Sequence, residues 1–503
     1  MGKAYIVASD LGTGGCKTVA LDQNANLIAS DNAEYPTHNP HPGWSEQNPE
    51  DWISALTKTT RSVLSQFDCA PGDIKGFGIV GVTHNSVLLD KLGKPLRPCI
   101  LTYDSRSVGE CKDLLDRWGD QIYRKTRNTM HSLWSWPQLE WIKKNEPDVW
   151  RNMTKILFQK DYVRNVIAPS PITDHIDAEG TLLFDPVKNQ WIEEFVTHLG
   201  LEDGVLPETV AATEVVSKIS PEGARLTGLP EGTKVIAGAS DTVAEVLGAG
   251  ALHPGQGTVK LASIGRITCV TRAPSDVPYL LNYRHVLDDL WYPGTASKYA
   301  TSSFRWLKDI MWPESTYEEM SEAACLVPPG CDGMLFLPHL EGEWAPIWDD
   351  KYRAGFIGAT VRHKRPHFTR AVMEGVAFAI RAGVEYMRDN GIRFDQIRLI
   401  GRGSTSDLWA QIMTDVLNRQ IHIPSGTDAA FGSALLTGMG VGLYPAESEY
   451  LSEFIKVREI KKPRKHTASL YDDLYEIYTE ADRRLGGIWP QLSEISKRSR
   501  VDK

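Results

Sequence analysis

Two aspartates stand where a short apolar run gives way to small residues. Asp10 ends Ala4-Tyr5-Ile6-Val7-Ala8-Ser9 and leads into Leu11-Gly12-Thr13-Gly14-Gly15-Cys16-Lys17. Glycine in a tight hairpin permits positive φ and lets backbone N–H groups, here at Thr13 and Gly14, point at phosphate oxygens. Asp10 is then placed to hold a magnesium ion through water, and Lys17 adds positive charge nearby. The same stretch also reads as a glycine-rich hairpin beside a surface aspartate. Asp241 lies in Gly238-Ala239-Ser240-Asp241-Thr242-Val243-Ala244. A carboxylate at that strand end suits accepting a proton from a substrate hydroxyl. Its other reading is the cap of a helix over 242–249.

Three further stretches carry polar chemistry. Thr83-His84 and Asp104-Ser105-Arg106 follow strands or turns in the first half, and their donors and acceptors suit a polyol if they converge. Trp44, in Pro42-Gly43-Trp44-Ser45-Glu46, offers an aromatic face to a sugar, or a packing staple before a helix. Gly401-Arg402-Gly403-Ser404-Thr405-Ser406 sits between a strand and a helix, where a flat glycine turn fits a nucleotide base or ribose.

The elements that must position these residues follow from periodicity. Residues 4–10, 17–22 and 27–30 read as an antiparallel meander. Asn48-Pro49-Glu50-Asp51 starts a helix, with Asn48 as its cap and Pro49 at the first helical position, whose apolar positions are Trp52, Leu56, Val63, Leu64 and Phe67. A strand follows over 74–80, and strands then alternate with helices, which argues α/β. Thr258–Thr268 repeats the strand, glycine turn, strand pattern of the opening. Further on come a broad-faced helix over 368–387, a strand over 397–400 and an amphipathic helix over 468–491. Two halves that each open on a glycine hairpin predict two domains facing across a cleft, with nucleotide phosphates between the hairpins. Closing such a cleft excludes water, which protects a nucleotide from hydrolysis. The expected bounds are 1–245, 246–445 and a C-terminal helical extension, 446–503.

Composition narrows the function. The chain has 503 residues, 55 Lys+Arg against 64 Asp+Glu, a net charge of −9 and 42% hydrophobic residues. That is ordinary globular composition with room for roughly two to four domains. Mild acidity gives no basic stripe for nucleic acid. No run of about 18 uncharged apolar residues exists to span a membrane. The N-terminus reads as a first strand rather than a signal peptide. Seven scattered cysteines without a Cys-x-x-Cys pair predict reduced thiols in a cytoplasm, with neither a disulfide framework nor a structural metal.

Taken in order, ten stretches resemble the FGGY family of carbohydrate kinases, nearest in layout to its bacterial xylulokinases. They are DLGTGGCK (10–17), HPGWSEQNPEDW (41–52), VTHNSVLLD (82–90), LRPCILTYDSRS (96–107), QKDYVRN (159–165), AGASDTVAEVLGAG (237–250), FLPHLEGEWAP (336–346), RAGFIGAT (353–360), TRAVMEGVAFAIR (369–381) and LIGRGSTSDLWAQIMTDVLNRQI (399–421). The resemblance implies two ribonuclease H-like, actin-like ATPase domains with ATP and magnesium in the cleft. It puts Asp10 and Thr13 at the metal and phosphates, and Ser263 and Gly265 at a second phosphate hairpin. Gly401, Gly403 and Ser404 line the adenosine, and His84, Asp104 and Arg106 surround the sugar. Asp241 matches the catalytic base. The implied reaction moves the γ-phosphate of ATP to the terminal hydroxyl of a ketopentose, D-xylulose first. Another ketose or polyol, or a non-catalytic ATP-binding switch on the same fold, are the alternatives. A homodimer is implied by family likeness alone. Four departures stand out: Val82-Thr83 for Gln-Met, Thr102-Tyr103-Asp104-Ser105-Arg106 for Trp-Asn-Asp-Gly-Arg, Ala262-Ser263-Ile264-Gly265 for Gly-Thr-Ser-Gly, and Arg402 for a third glycine. The first two fall where the sugar is expected, the others where ATP is.

Overall fold

The computed structural model describes residues 3–344, 347–426 and 428–501; Ala345 and Pro346, which end the 336–346 stretch, lie outside the described residues. Two six-stranded sheets carry one plan drawn twice. In the first, β1 (Tyr5–Leu11), β2 (Gly15–Asp22) and β3 (Leu27–Glu34) form an antiparallel meander. β4 (Ile74–Gly81) adds parallel to β1, and β6 (Lys234–Ile236) adds parallel to β4. β5 (Val215–Lys218) closes that edge antiparallel. In the second, β7 (Gln256–Leu261), β8 (Gly265–Cys269) and β9 (Gly294–Ser297) repeat the meander. β10 (Gln396–Ile400) and β11 (Ile421–Pro424), linked through helix α4 (Asp407–Leu417), then add in parallel, and β12 (Val457–Lys461) closes the edge antiparallel. The order is β3-β2-β1-β4-β6-β5 in one sheet and β9-β8-β7-β10-β11-β12 in the other. The two-domain α/β reading therefore holds.

The central strands read as near-continuous apolar runs because both faces are covered. Ile6, Val7, Ala8 and Leu11 of β1 are wholly enclosed. The helix over Pro49–Ser65 (α1) covers β2 and β3. Asn48 precedes it, but its side chain makes no capping bond, and Pro49 at the first helical position does the starting. On the second sheet lies the 25-residue helix Arg365–Asp389 (α3), which buries Val372, Val376, Phe378 and Ile380.

Two helices tie the units together. α2 (Asp241–Gly248) runs from the end of β6 and packs on α5 (Ala429–Gly440), and α5 lies across β1 and β4. The chain expected to be purely second-unit before 445 thus supports the first sheet. The segment after 446 also differs from a helical extension. It supplies β12, and its helix Lys465–Gly486 (α6) buries Tyr471, Tyr475 and Tyr478 in the second core. The single helix expected over 468–491 is two, parted at Gly487-Ile488 before Trp489–Val501.

Candidate active site

Parallel strands leave their C-terminal ends at one edge, and the loops that leave them meet there. β1 ends in the first glycine turn, closed by Gly12 N–H to Gly15 O at 3.0 Å. β4 ends beside Ser240, Gly81 N–H donates to Ala239 O at 3.3 Å, and Val82 N–H donates to Leu11 O at 3.2 Å. The starts of loop 82–85 and of α2 are therefore drawn to the end of β1.

The two readings of Asp241 separate here. Ser240 is the cap: its Oγ accepts from Val243 N–H at 3.3 Å. Asp241 is the first helical residue, half-buried, and its Oδ1 accepts from the Thr242 hydroxyl at 3.2 Å. Acid in a first helical turn is favoured by the helix dipole, and the side chain is not consumed by capping. Asp10 stands close by. Its Oδ1 is buried and has no hydrogen-bond donor among the described residues. Burial raises its pKa well above the usual carboxylate range, and the charges of Asp241, Glu245 and Asp428 raise it further. An enclosed carboxylate oxygen without a donor, among three more acids, fits a cation. No group of three or more metal-ligating side chains is close enough to hold a metal directly among the described residues. Magnesium fits such a place through water, since it keeps several waters and needs only one or two carboxylates beside substrate phosphates.

The first turn is open where Gly14 points, with no heavy atom within 4 Å of a Cβ placed there. Thr13 is exposed at its tip, its carbonyl held by Gln47 Nε2 at 2.7 Å. Lys17 pairs with Asp428, the cap of α5, at 2.5 Å. In the second turn, Ala262 N–H donates to Ile264 O at 3.3 Å, and Ser263 is exposed while its carbonyl takes Ala300 N–H at 2.9 Å. Gly265 begins β8 and packs under Ala300 and Ile380. Gly401 has φ of 85°, and a Cβ there would lie 2.7 Å from Leu261 O. Only glycine lets the loop after β10 fold onto the end of β7, which brings Gly401 and Gly403 beside the second turn. Ser404 is buried, and its hydroxyl is spent on Gly401 O at 2.7 Å.

The proposed sugar residues divide into two groups. Asp104 and Arg106 form a buried forked pair, Nε to Oδ1 at 2.9 Å and Nη2 to Oδ2 at 2.8 Å. Arg106 Nη1 goes to Glu46 at 2.7 Å, and its guanidinium covers the Trp44 ring at 3.8 Å. Asp104 also accepts from Ser45 and Arg106 N–H at 2.6 and 2.8 Å. Their hydrogen-bonding capacity and that face of Trp44 are used within the protein, so this trio stiffens the loops around the site. His84 belongs elsewhere. It has φ of 52°, its N–H donates to Asp177 at 3.0 Å, and its ring lies 5.4 Å from that of Trp134. Burial pushes its pKa down to about 3, so the imidazole is neutral. Thr83 is almost buried beside it, and Gly180 leaves room for both side chains.

Sequence reasoning assigned no role to several residues here. Lys160 lies buried with Asp161, Asp174 and Asp177 at 2.6, 2.8 and 3.1 Å, under the 82–85 loop. Charges inside the apolar stretch around QKDYVRN were the available signal. From the second unit come Lys260, 2.6 Å from Glu245, and Arg266, 3.0 Å from Thr242. Tyr283 adds a ring 6.0 Å from Trp134. Nothing local in the sequence marks these three.

Residues 5–248 match the N-terminal domain, and residues 268–441 the C-terminal domain, of the FGGY family of carbohydrate kinases. A xylulose kinase of Bacillus subtilis (strain 168) is 30% identical over 94% of this chain and 96% of its own length. A crystal structure of xylulose kinase from Rhodospirillum rubrum superimposes with a TM-score of 0.87 at 25% identity, covering 96% of this chain and 99% of the other. For the fold alone, Plasmodium falciparum glycerol kinase with ADP gives a TM-score of 0.85 at 19% identity over 95% and 98% of the two chains. The duplicated sheets are thus those of known sugar kinases, and the chain belongs to the FGGY family of carbohydrate kinases.

Proposed function

We propose that this carbohydrate kinase phosphorylates the terminal hydroxyl of a ketopentose, D-xylulose first, with Asp241 as general base. The observation that carries the reading is that Ser240 caps α2 and leaves the Asp241 carboxylate free, near Asp10 from the strand before the first turn and next to Thr242, which Arg266 from just after the second turn contacts. ATP lies with its phosphates against the backbone of Thr13, Gly14, Ser263 and Gly265 and its adenosine over Gly401 and Gly403. Asp241 takes the proton of the sugar hydroxyl as that oxygen attacks the γ-phosphorus in line, and ADP departs. Magnesium, which Asp10 would hold through water, supplies charge neutralisation on the phosphate oxygens. The chain's own part is positioning, exclusion of water and proton acceptance. Neutral His84 and Thr83 wall the sugar side, and Lys160 with its three aspartates holds their loop. D-xylulose is favoured by the xylulose kinases among the relatives. The cysteines are all unpaired thiols, which suits a cytoplasmic enzyme.

An ADP-coupled assay over ketopentoses, ketohexoses and tetritols tests this. The expected result is magnesium-dependent turnover greatest with D-xylulose. Greater kcat/KM on a ketohexose or tetritol would move the substrate but keep the chemistry. ATP binding with no sugar-stimulated ADP release would instead mark a nucleotide switch.

A further inference from the structure

Arg266 follows Gly265 at the start of β8, directly after the second turn. Its Nη1 donates to Thr242 Oγ1 at 3.0 Å, and Thr242 Oγ1 donates to Asp241 Oδ1 at 3.2 Å. Chemistry fixes the direction of this relay. A guanidinium only donates, so the hydroxyl accepts from it and turns its single proton to the carboxylate. Lys260 is the cross-strand partner of Arg266, so the two side chains share a face of the sheet. Lys260 is already committed to Glu245 at 2.6 Å, which leaves Arg266 as the cation that meets Thr242. The Arg266 guanidinium also lies over the Tyr283 ring, 5.5 Å from its centroid, and Tyr283 is buried against Trp134. That ring limits where the long side chain can go.

We propose that Arg266, acting through Thr242, is a positioning residue for Asp241. The relay ties Oδ1 and leaves Oδ2 to face the sugar hydroxyl. Because Arg266 stands on the phosphate turn of the second unit and Asp241 on a helix of the first, the base is aimed only when the two units are together. Aiming of the base and seating of the nucleotide phosphates thus share one strand. This deepens the reading of Asp241 as base and rests on it.

The test uses the full-length protein, with thermal melts to certify folding. Arg266→Leu and Thr242→Val are expected to lower kcat about 10²-fold, the scale of a misaimed reacting group. KM for ATP and for sugar should stay near the parent values, as for an interaction used only in the transition state. Thr242→Ser keeps the hydroxyl and should retain most of kcat, and added guanidinium should restore part of the activity of Arg266→Ala. A folded Arg266→Leu protein with parental kcat, or equal losses in Thr242→Ser and Thr242→Val, overturns the relay. If Arg266→Leu fails to fold, the near-isosteric Thr242 pair decides. Full kcat in Arg266→Leu with activity lost in Asp241→Asn rejects the relay and keeps the base. Full activity in Asp241→Asn rejects both.

Discussion

The role proposed for Asp241 rests on what its neighbours do. A serine one position earlier satisfies the helix end, a threonine one position later donates to the carboxylate, and the side chain stays half-accessible near Asp10, whose buried Oδ1 has no donor among the described residues. Asp241→Asn keeps shape and loses basicity. It should bind ATP as the parent does by calorimetry and lose sugar-dependent ADP production by about 10²–10⁴-fold, the usual worth of a positioned base. A second residue-scale prediction concerns pH. His285 is buried, with Nε2 against Ala251 O at 3.1 Å and Nδ1 accepting from Leu287 N–H at 3.0 Å. That arrangement suits a neutral ring, and burial pushes its pKa from 6.5 down to about 4 despite the Ala251 carbonyl. Between those values the unfolded chain binds the extra proton, so stability is complete above pH 6.5 and is lost as pH falls through 4. The loss is on the order of 3 kcal/mol. Melting His285→Gln between pH 7 and 4.5 should give a shallower fall than the parent. Identical slopes would show that another group governs the acid limb.

At the scale of elements, α2 and α5 cross with backbone against backbone at Gly432. A Cβ on Gly432 would run into the Ala244 carbonyl, and one on Gly248 would meet the Gly432 backbone at 3.1 Å. Gly432→Val forces the helices apart, and overpacking of this kind costs about 1–3 kcal/mol. A lowered melting temperature should therefore come with lowered kcat, because α2 carries Asp241. A destabilised protein with parental kcat would show that the crossing supports the fold but not the base. The elements most legible in the sequence were those with their own periodicity or turn chemistry: the opening meander, its repeat at 258–268, and α1 and α3. What misled was length and context. Asn48 looked like a cap beside Pro49, yet Pro49 alone sufficed. β12 was missed inside the expected helical extension, 446–503, because an edge strand, Val457-Arg458-Glu459-Ile460-Lys461, is largely solvated and carries charge.

Across the whole molecule, the segment between β8 and β9 leaves its own sheet and lies on the first unit. Asn128 and the Asn282 backbone exchange hydrogen bonds, Nδ2 to O at 2.9 Å and N–H to Oδ1 at 2.8 Å, with both residues buried. Tyr123 adds a bond to Ser275 O at 3.2 Å, and Arg284 N–H donates to buried Glu179 at 3.0 Å. This strap sets Tyr283 against Trp134 and hence beside the His84 side of the site. Asn128→Leu strands the Asn282 amide and carbonyl, at about 1–3 kcal/mol. The melting temperature should fall and KM for the sugar should rise more than KM for ATP. An unchanged sugar KM in a destabilised protein would separate the strap from substrate binding.

The sequence by itself determined the opening meander, the strand and glycine turn that repeat it, and the order of the motifs, because these depend on side-chain period and backbone freedom within a few residues. It also presented the two meanings of Asp241 without choosing between them. The structure assigns the cap to Ser240, whose Oγ accepts from Val243 N–H, and so leaves the Asp241 carboxylate free for the role proposed for it. Tertiary packing likewise turned Asp104, Arg106 and Trp44 inward on one another and turned Lys17 toward Asp428. Chain reversal across some 400 residues brought Asp428 to Lys17, and the docking of two sheets brought Arg266 to Thr242. Distances between units are set by helix crossings and strap contacts far apart in the chain, and no local pattern of residues encodes them.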